Sequence, residues 1–156
     1  MTSLSLDDAN GGAQVTVVLL GYNHARDVVE AIDSVRAQTF THWKLIVIDG
    51  GSTDDTLAVL QAYVAQCDDP RIRLLSQSNA GSHATLNRGL EMARTPYLAI
   101  LNSDDRYAPN RLQRLVEIAA AAEGDVFITT GMRLIGDDGE PLPQGHWWNL
   151  MYKDIL

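Results

Sequence analysis

Residues 43–56 read WKLIVIDGGSTDDT. The apolar run 45–48 stops abruptly at Asp49, and two glycines and a group of small polar residues follow. An unbroken apolar run of this length suits a strand covered on both faces, the usual condition of a parallel strand. Asp49 at its end comes too early to cap a helix, and Gly50 and Gly51 leave the backbone open to close approach by a ligand. Ser52 is expected to cap the helix that follows, with Asp55 completing a capping box.

The same strand pattern recurs at residues 15–20, 72–75, 97–101 and 126–130. Between these runs lie segments of helical period. Val28, Ile32 and Val35 share one face, as do Leu57, Leu60 and Val64, then Leu86, Leu90 and Ala93, and finally Leu112, Leu115 and Ala119. Pro96 should stop the third helix and Pro109 should occupy the first turn of the fourth. Strand and helix alternate throughout, so the expected fold class is α/β, a mainly parallel sheet flanked by helices on both sides.

With 156 residues, 46% of them apolar and 21% charged, the chain can bury a core of its own. A formal net charge of −8 and the lack of a basic stripe argue against nucleic acid as a partner. An anionic ligand would need a local positive charge, which an acidic protein can obtain by capturing a divalent cation. Cys67 is the single cysteine, so no disulfide can form within the chain, and it reads as a small apolar helix residue. Residues 1–14 form a polar tail unlike a signal peptide, and no apolar run approaches the ~20 residues that span a bilayer. A cytoplasmic protein without a transmembrane segment is expected.

In an open α/β sheet, ligands bind at the carboxyl ends of the strands. Three loops there carry unusual residues: Gly21-Tyr22-Asn23, Asp49 to Asp54, and Asn102-Ser103-Asp104-Asp105. No loop spells either common phosphate-cradling motif. Adjacent carboxylates at Asp104 and Asp105, directly after a buried strand, repel each other unless a cation or donor is near. They suit Mg²⁺ or Mn²⁺, which commonly takes one or two carboxylates plus substrate phosphates. His24, His42 and His83 show no metal-ligand spacing, and only His83 is placed to approach a phosphate. Asp137, Asp138 and Glu140 have a Gly-flanked context, around Gly136 and Gly139, and read as a hairpin turn.

Five segments, VTVVLLGYN, SVRAQTF, WKLIVIDGGSTDDT, NAGSHATLNRGLEMA and YLAILNSDDRY, occur in an order and spacing that resembles the inverting family 2 glycosyltransferases of GT-A fold. The resemblance covers roughly residues 15–139. It implies a nucleotide-sugar-binding domain over 15–139 and the start of an incomplete acceptor-side region over 140–156, so that the chain reads as truncated at its C-terminus. By position it implies that Tyr22 helps form the base pocket, that Asp49 accepts hydrogen bonds from uracil or another base, and that Asn23 and Gly51 belong to the same binding surface. Asn79 and Gly81 would border the sugar-phosphate site, which Asn87 and Gly89 would shape from the third helix. Asp104 would contact the donor and the metal, with Asp105 the more direct metal ligand, Mn²⁺ or Mg²⁺. Gly21 stands where the family usually has Ser or Thr, Gly50 where a second aspartate is frequent, and Asn102 at the first acidic place of the D-x-D motif.

The reaction implied is attack by an acceptor hydroxyl on the anomeric carbon of a nucleotide sugar, most simply UDP-linked, with inversion. The acceptor would be a glycan or a lipid-linked carrier, met by an enzyme of surface polysaccharide biosynthesis at the membrane periphery or as a homo-oligomer. The general base is expected beyond Leu156. His146, Trp147 and Trp148 are read either as part of an acceptor platform or as core or interface residues. Two other readings share the fold. One is a non-catalytic nucleotide-binding fragment; the other is a receiver-like phosphoacceptor, which wants acids after the first strand, where Gly21 stands.

Overall fold

The computed structural model describes residues 12–136 and 138–143. The chain divides into two units, Met1–Ala120 and Ala121–Leu156. The first contains β1 (Val15–Gly21), α1 (Val28–Arg36), β2 (Trp43–Asp49), α2 (Thr56–Cys67), β3 (Ile72–Ser76), α3 (Ser82–Met92), β4 (Tyr97–Asn102) and all but the last residue of α4 (Arg111–Ala121). The strands form one parallel sheet in the order β3-β2-β1-β4.

The chain steps outward from β1 to β2 to β3, then returns through α3 to lay β4 on the other side of β1. Strand order therefore reverses between β1 and β4. At such a point the two connections leave in opposite directions and open a crevice at the carboxyl ends of the strands.

The register aligns Gly21 with Asp49 and Leu20 with Asn102. The three candidate loops thus start level with one another. Central position explains the apolar runs: every residue of β1 except Leu20 is buried, and β2 is buried except for Lys44. Val17, Leu19, Leu45 and Val47 pack with Val28, Ile32 and Val35 of α1, with Leu60 of α2 and with Leu112 of α4.

The opposite face is covered by α3, whose buried positions are Thr85 and Gly89, one step round from the expected Leu86 and Leu90. A Cβ on Gly89 would lie 2.3 Å from Val18 Cγ1 and 3.2 Å from Ile48 Cδ1. Glycine is what lets this helix lie against β1 and β2. Over β4 the same face is open, and Leu98 and Ile100 stand 50% and 47% exposed. Double-sided cover, expected from the apolar runs, therefore holds for the two central strands and not for β4.

Three local expectations are corrected. Residues 126–130 form no strand: Val126 and Phe127 are exposed, and a strand exists only through ladder bonds to a neighbour, which this run lacks among the described residues. Ser52 does not cap α2, because the helix begins later, at Thr56. The first-turn N–H of Thr56 goes instead to Asp54 Oδ1 at 2.9 Å, while Ser52 Oγ accepts the Asn23 N–H at 3.0 Å. Pro109 lies just ahead of α4 and turns its carbonyl to the Thr39 N–H.

In the second unit, the Gly136 N–H donates to Glu140 O, Leu142 N–H to Leu134 O, and Ile135 bridges Pro141 antiparallel. This is the turn expected around Asp138.

The start of β3 is clamped by charge. Asp69 accepts Arg71 Nε at 3.0 Å and Nη2 at 2.7 Å, and the Arg71 guanidinium lies 3.8 Å over the buried Trp43 ring. The Arg71 hydrogen bonds hold the Asp69 carboxyl below its ordinary 3.8, against the opposing effect of burial. A depressed folded pKa stabilises above the unfolded pKa, and the contribution is lost as pH falls through the folded value. Wild type should therefore lose more stability than Asp69→Asn between about pH 5 and pH 3, by on the order of 1 kcal/mol given the partial exposure of Arg71. Urea titrations of both proteins across that window check this, and parallel profiles would refute it.

Candidate donor site

A cleft of about 560 Å³ lies at the reversal point between β1 and β4. Its walls come from the loop after β1 (Tyr22, His24), the loop before α3 with the helix's first residue (Asn79, Gly81, Ser82), and the end of β4 with the loop that follows (Asn102, Ser103, Asp104), with Gly50 and Thr85 behind. Tyr22, Asn79, Gly81 and Asp104 thus all line one cleft.

None of the residues lining the cleft is Lys or Arg. Its polar character comes from amide and hydroxyl groups and from the start of α3. Gly81 there has φ 86°, and its N–H is taken by Asn79 Oδ1 at 3.0 Å. The next N–H groups belong to the first helical turn, which has no intrahelical partners to offer them and carries the positive end of the helix dipole.

At the rim, Asp104 and Asp105 are both exposed. Asp105 Oδ2 accepts Asn102 Nδ2 at 3.2 Å, and its N–H returns to Asn102 O at 3.1 Å, closing a tight turn. Asp104 faces the cleft, whereas Asp105 is not among its lining residues. Among the described residues no group of three or more His, Cys, Asp or Glu could enclose a metal. Two exposed neighbouring carboxylates at a cleft rim nevertheless suit Mg²⁺ or Mn²⁺, ions that need only one or two protein carboxylates and fill the rest of their shells with other oxygens.

Asp49 behaves differently. It is fully buried, and its Oδ2 accepts Gly51 N–H at 3.2 Å and Ser76 Oγ at 3.3 Å, with Ser52 N–H shared between both oxygens at 3.3 Å. The carboxylate folds the β2–α2 loop around itself. Asp49 is not among the residues lining the cleft.

Gly51 shows why that loop needs glycine. Its φ is +85°, and a Cβ there would lie 2.5 Å from Asn79 N. Asn23, itself at φ 56°, accepts Thr53 N–H with Oδ1 at 2.8 Å. Asn23, Asp49 and Gly51 thus frame the walls from behind. Asn87 is exposed on α3 and does not line the cleft; Gly89 is spent on helix packing, and His83 is exposed outside the lining.

The family model described as glycosyl transferase family 2 matches residues 16–156. The chain belongs to glycosyl transferase family 2. ExoO of Rhizobium meliloti (strain 1021), a succinoglycan biosynthesis protein, is 36% identical over 129 residues, covering 82% of this family 2 chain and 36% of ExoO.

Among solved structures, the mannosyltransferase PcManGT of Pyrobaculum calidifontis, in complex with GDP-Man and Mn²⁺, superposes with TM-score 0.64 at 25% identity, covering 69% of this chain and 32% of that one. S. aureus TarS 1-349 in complex with UDP-GlcNAc gives 0.58 at 21%, covering 69% and 31%, and supports the GT-A fold alone. The family 2 chain spans at most half the length of the curated relatives it matches.

Family membership disposes of the receiver-like reading, and the geometry agrees: the loop after β1 opens with Gly21 and Tyr22, not with acids. Sequence reasoning missed His24, which was weighed only as a metal ligand. It lines the cleft, and its Nδ1 lies 2.6 Å from Ser103 Oγ. The available signal was its place in a loop at the carboxyl end of the central strand. His146, Trp147 and Trp148 lie outside the described residues. Asp138 gives Oδ1 to Glu140 N–H at 3.0 Å, an ordinary turn contact. No helix among the described residues is long and apolar enough to cross a membrane.

Proposed function

We propose that this chain is the donor-binding part of a glycosyltransferase that moves a sugar from a nucleoside diphosphate sugar, UDP-linked in the first instance, to a hydroxyl of a glycan or lipid-linked acceptor with inversion. The observation that carries this reading is the cleft itself. It offers amides, hydroxyls and a helix start, has two open carboxylates at its rim, and has no Lys or Arg in its lining. A diphosphate held there beside two carboxylates calls for a cation to come with it.

Asp104 and Asp105 would hold Mn²⁺ or Mg²⁺. When bound, the ion neutralises charge on the departing nucleoside diphosphate. Tyr22 and the loop braced by Asn23, Asp49 and Gly51 frame the base, while Asn79, Gly81 and the first turn of α3 receive sugar-phosphate oxygens. The acceptor hydroxyl attacks the anomeric carbon, and the bond to the diphosphate oxygen breaks. The base that takes the hydroxyl proton is assigned to the acceptor side, outside the described residues.

Calorimetric titration of UDP into the chain should show affinity at least about tenfold tighter with Mn²⁺ than with EDTA, or ~1.4 kcal/mol. Well-folded protein with no metal-dependent gain would sink the proposal. Because the chain spans at most half the length of its relatives, a nucleotide-binding module without transfer activity is the second reading. UDP-sugar hydrolysis measured beside binding separates them, a non-catalytic module binding without turnover.

A further inference from the structure

His24 is mounted more rigidly than its loop position requires. Its N–H donates to Thr56 Oγ1 at 2.9 Å, and its carbonyl accepts Asp27 N–H at 3.1 Å and Val28 N–H at 3.0 Å, where α1 begins. Thr56 is fully buried and its hydroxyl donates a hydrogen bond to Asp54 Oδ1 at 2.5 Å. Both backbone groups of His24 are therefore fixed, one by α2 and one by α1, and the imidazole stands on a frame that the core holds still.

From that frame, Nδ1 reaches Ser103 Oγ at 2.6 Å across 79 residues of sequence. Ser103 is only 1% exposed, and its N–H continues the β1 pairing through Leu20 O at 3.1 Å. Past Ser103 the chain leaves the sheet into the exposed pair Asp104-Asp105. A carboxylate adjacent to a residue held at both backbone and side chain has fewer places to go. Two like charges side by side repel and would otherwise swing apart, so such restraint keeps them ready for a cation at the cost of that repulsion.

We propose that His24 is a positioning residue: through Ser103 it sets Asp104 in place for the cation that arrives with the nucleoside diphosphate. The inference rests on the donor-site reading above, and it concerns preorganisation of the carboxylates, not a contact of His24 with the metal. The bond needs only a polar atom at the Nδ1 position. With the Nε2–H tautomer, the Ser103 hydroxyl donates to Nδ1; with the Nδ1–H tautomer, it accepts.

The test is UDP affinity with Mn²⁺ and with EDTA for wild type, His24→Ala, His24→Asn and Ser103→Ala, with melting temperatures recorded alongside. Asparagine can place a hydrogen-bonding atom near the Nδ1 position, and alanine cannot. His24→Ala should shrink the Mn²⁺-dependent gain, the ratio of affinity in Mn²⁺ to affinity in EDTA, about tenfold, the low end of the ~10- to 100-fold range seen when support behind a metal ligand is lost. His24→Asn should recover most of the gain. Ser103→Ala should match His24→Ala, and the double variant should be no worse than either, because both remove one interaction.

A full gain in His24→Ala, equal loss in His24→Asn, or additive losses in the double variant would each overturn the proposal. Should His24→Ala fail to fold, Ser103→Ala and His24→Asn decide the same question. Failure of wild type to show any Mn²⁺-dependent gain would bring down the donor-site reading, and this inference with it. A wild-type gain that the His24 variants retain would bring down this inference alone.

Discussion

Asp104→Asn is expected to remove the Mn²⁺-dependent part of UDP binding, weakening affinity in saturating Mn²⁺ by about 10- to 100-fold, the worth of one interaction to a charged group. Asp104 is exposed at the cleft rim and faces into it. An exposed side chain that supports no packing should change stability by no more than about 0.5 kcal/mol, so the melting temperature should move by roughly 2 °C at most. Affinity in EDTA should stay near the wild-type value, because the amide and hydroxyl walls are untouched. Asp105→Asn should follow the same pattern, since either substitution leaves a single carboxylate. If the Mn²⁺-dependent gain survives in both variants, the cation is held elsewhere.

Gly89→Ala is expected to cost about 2–3 kcal/mol, even though alanine is the better helix former by ~1 kcal/mol. The new Cβ would sit 2.3 Å from Val18 Cγ1 on the central strand. Valine cannot swing away easily, because branching at Cβ leaves it few rotamers. The helix must retreat from the sheet, loosening contacts with Val18 and Ile48 together. A fall of roughly 4–12 °C in melting temperature corresponds to that loss in a chain of this size. Shortening the obstacle should help: Val18→Ala in the same protein should recover part of the deficit, the coupling expected of touching side chains. Unchanged stability of Gly89→Ala would contradict this close approach of α3 to the sheet.

These two residues also mark where sequence reading succeeds and where it stops. The apolar runs at the centre of the sheet were legible because burial on both faces leaves no room for polar alternation, and β1 and β2 are buried almost throughout. The carboxylates at strand ends stood out because nothing in a buried strand calls for them. The run at 126–130 has the same composition as a strand, yet composition cannot supply the neighbour that a ladder needs.

The helix cap failed for a related reason. Ser52 and Asp55 have capping-box spacing, but the buried Asp49 draws the Ser52 N–H inward and α2 starts at Thr56. Asp49 stood out as a carboxylate at a strand end, but its burial and its three internal donors cannot be counted from sequence. His24 was passed over because its role lies in a bond across 79 residues, a distance that no local pattern spans. The family resemblance implies that Gly89 shapes the site from the third helix, and its close approach to Val18 and Ile48 is a packing fact that no sequence pattern displays.

The central claim is that this family 2 chain binds a nucleoside diphosphate between the loops after β1 and β4, with charge neutralised by a cation at Asp104 and Asp105. A crystal structure of the chain with UDP and Mn²⁺, with the metal located by its anomalous signal, tests it most directly. The expected map has the Mn²⁺ peak beside the Asp104 carboxylate and the diphosphate against Gly81 and the first turn of α3. A nucleotide bound away from that cleft, or one bound within it whose Mn²⁺ touches neither Asp104 nor Asp105, would contradict the account.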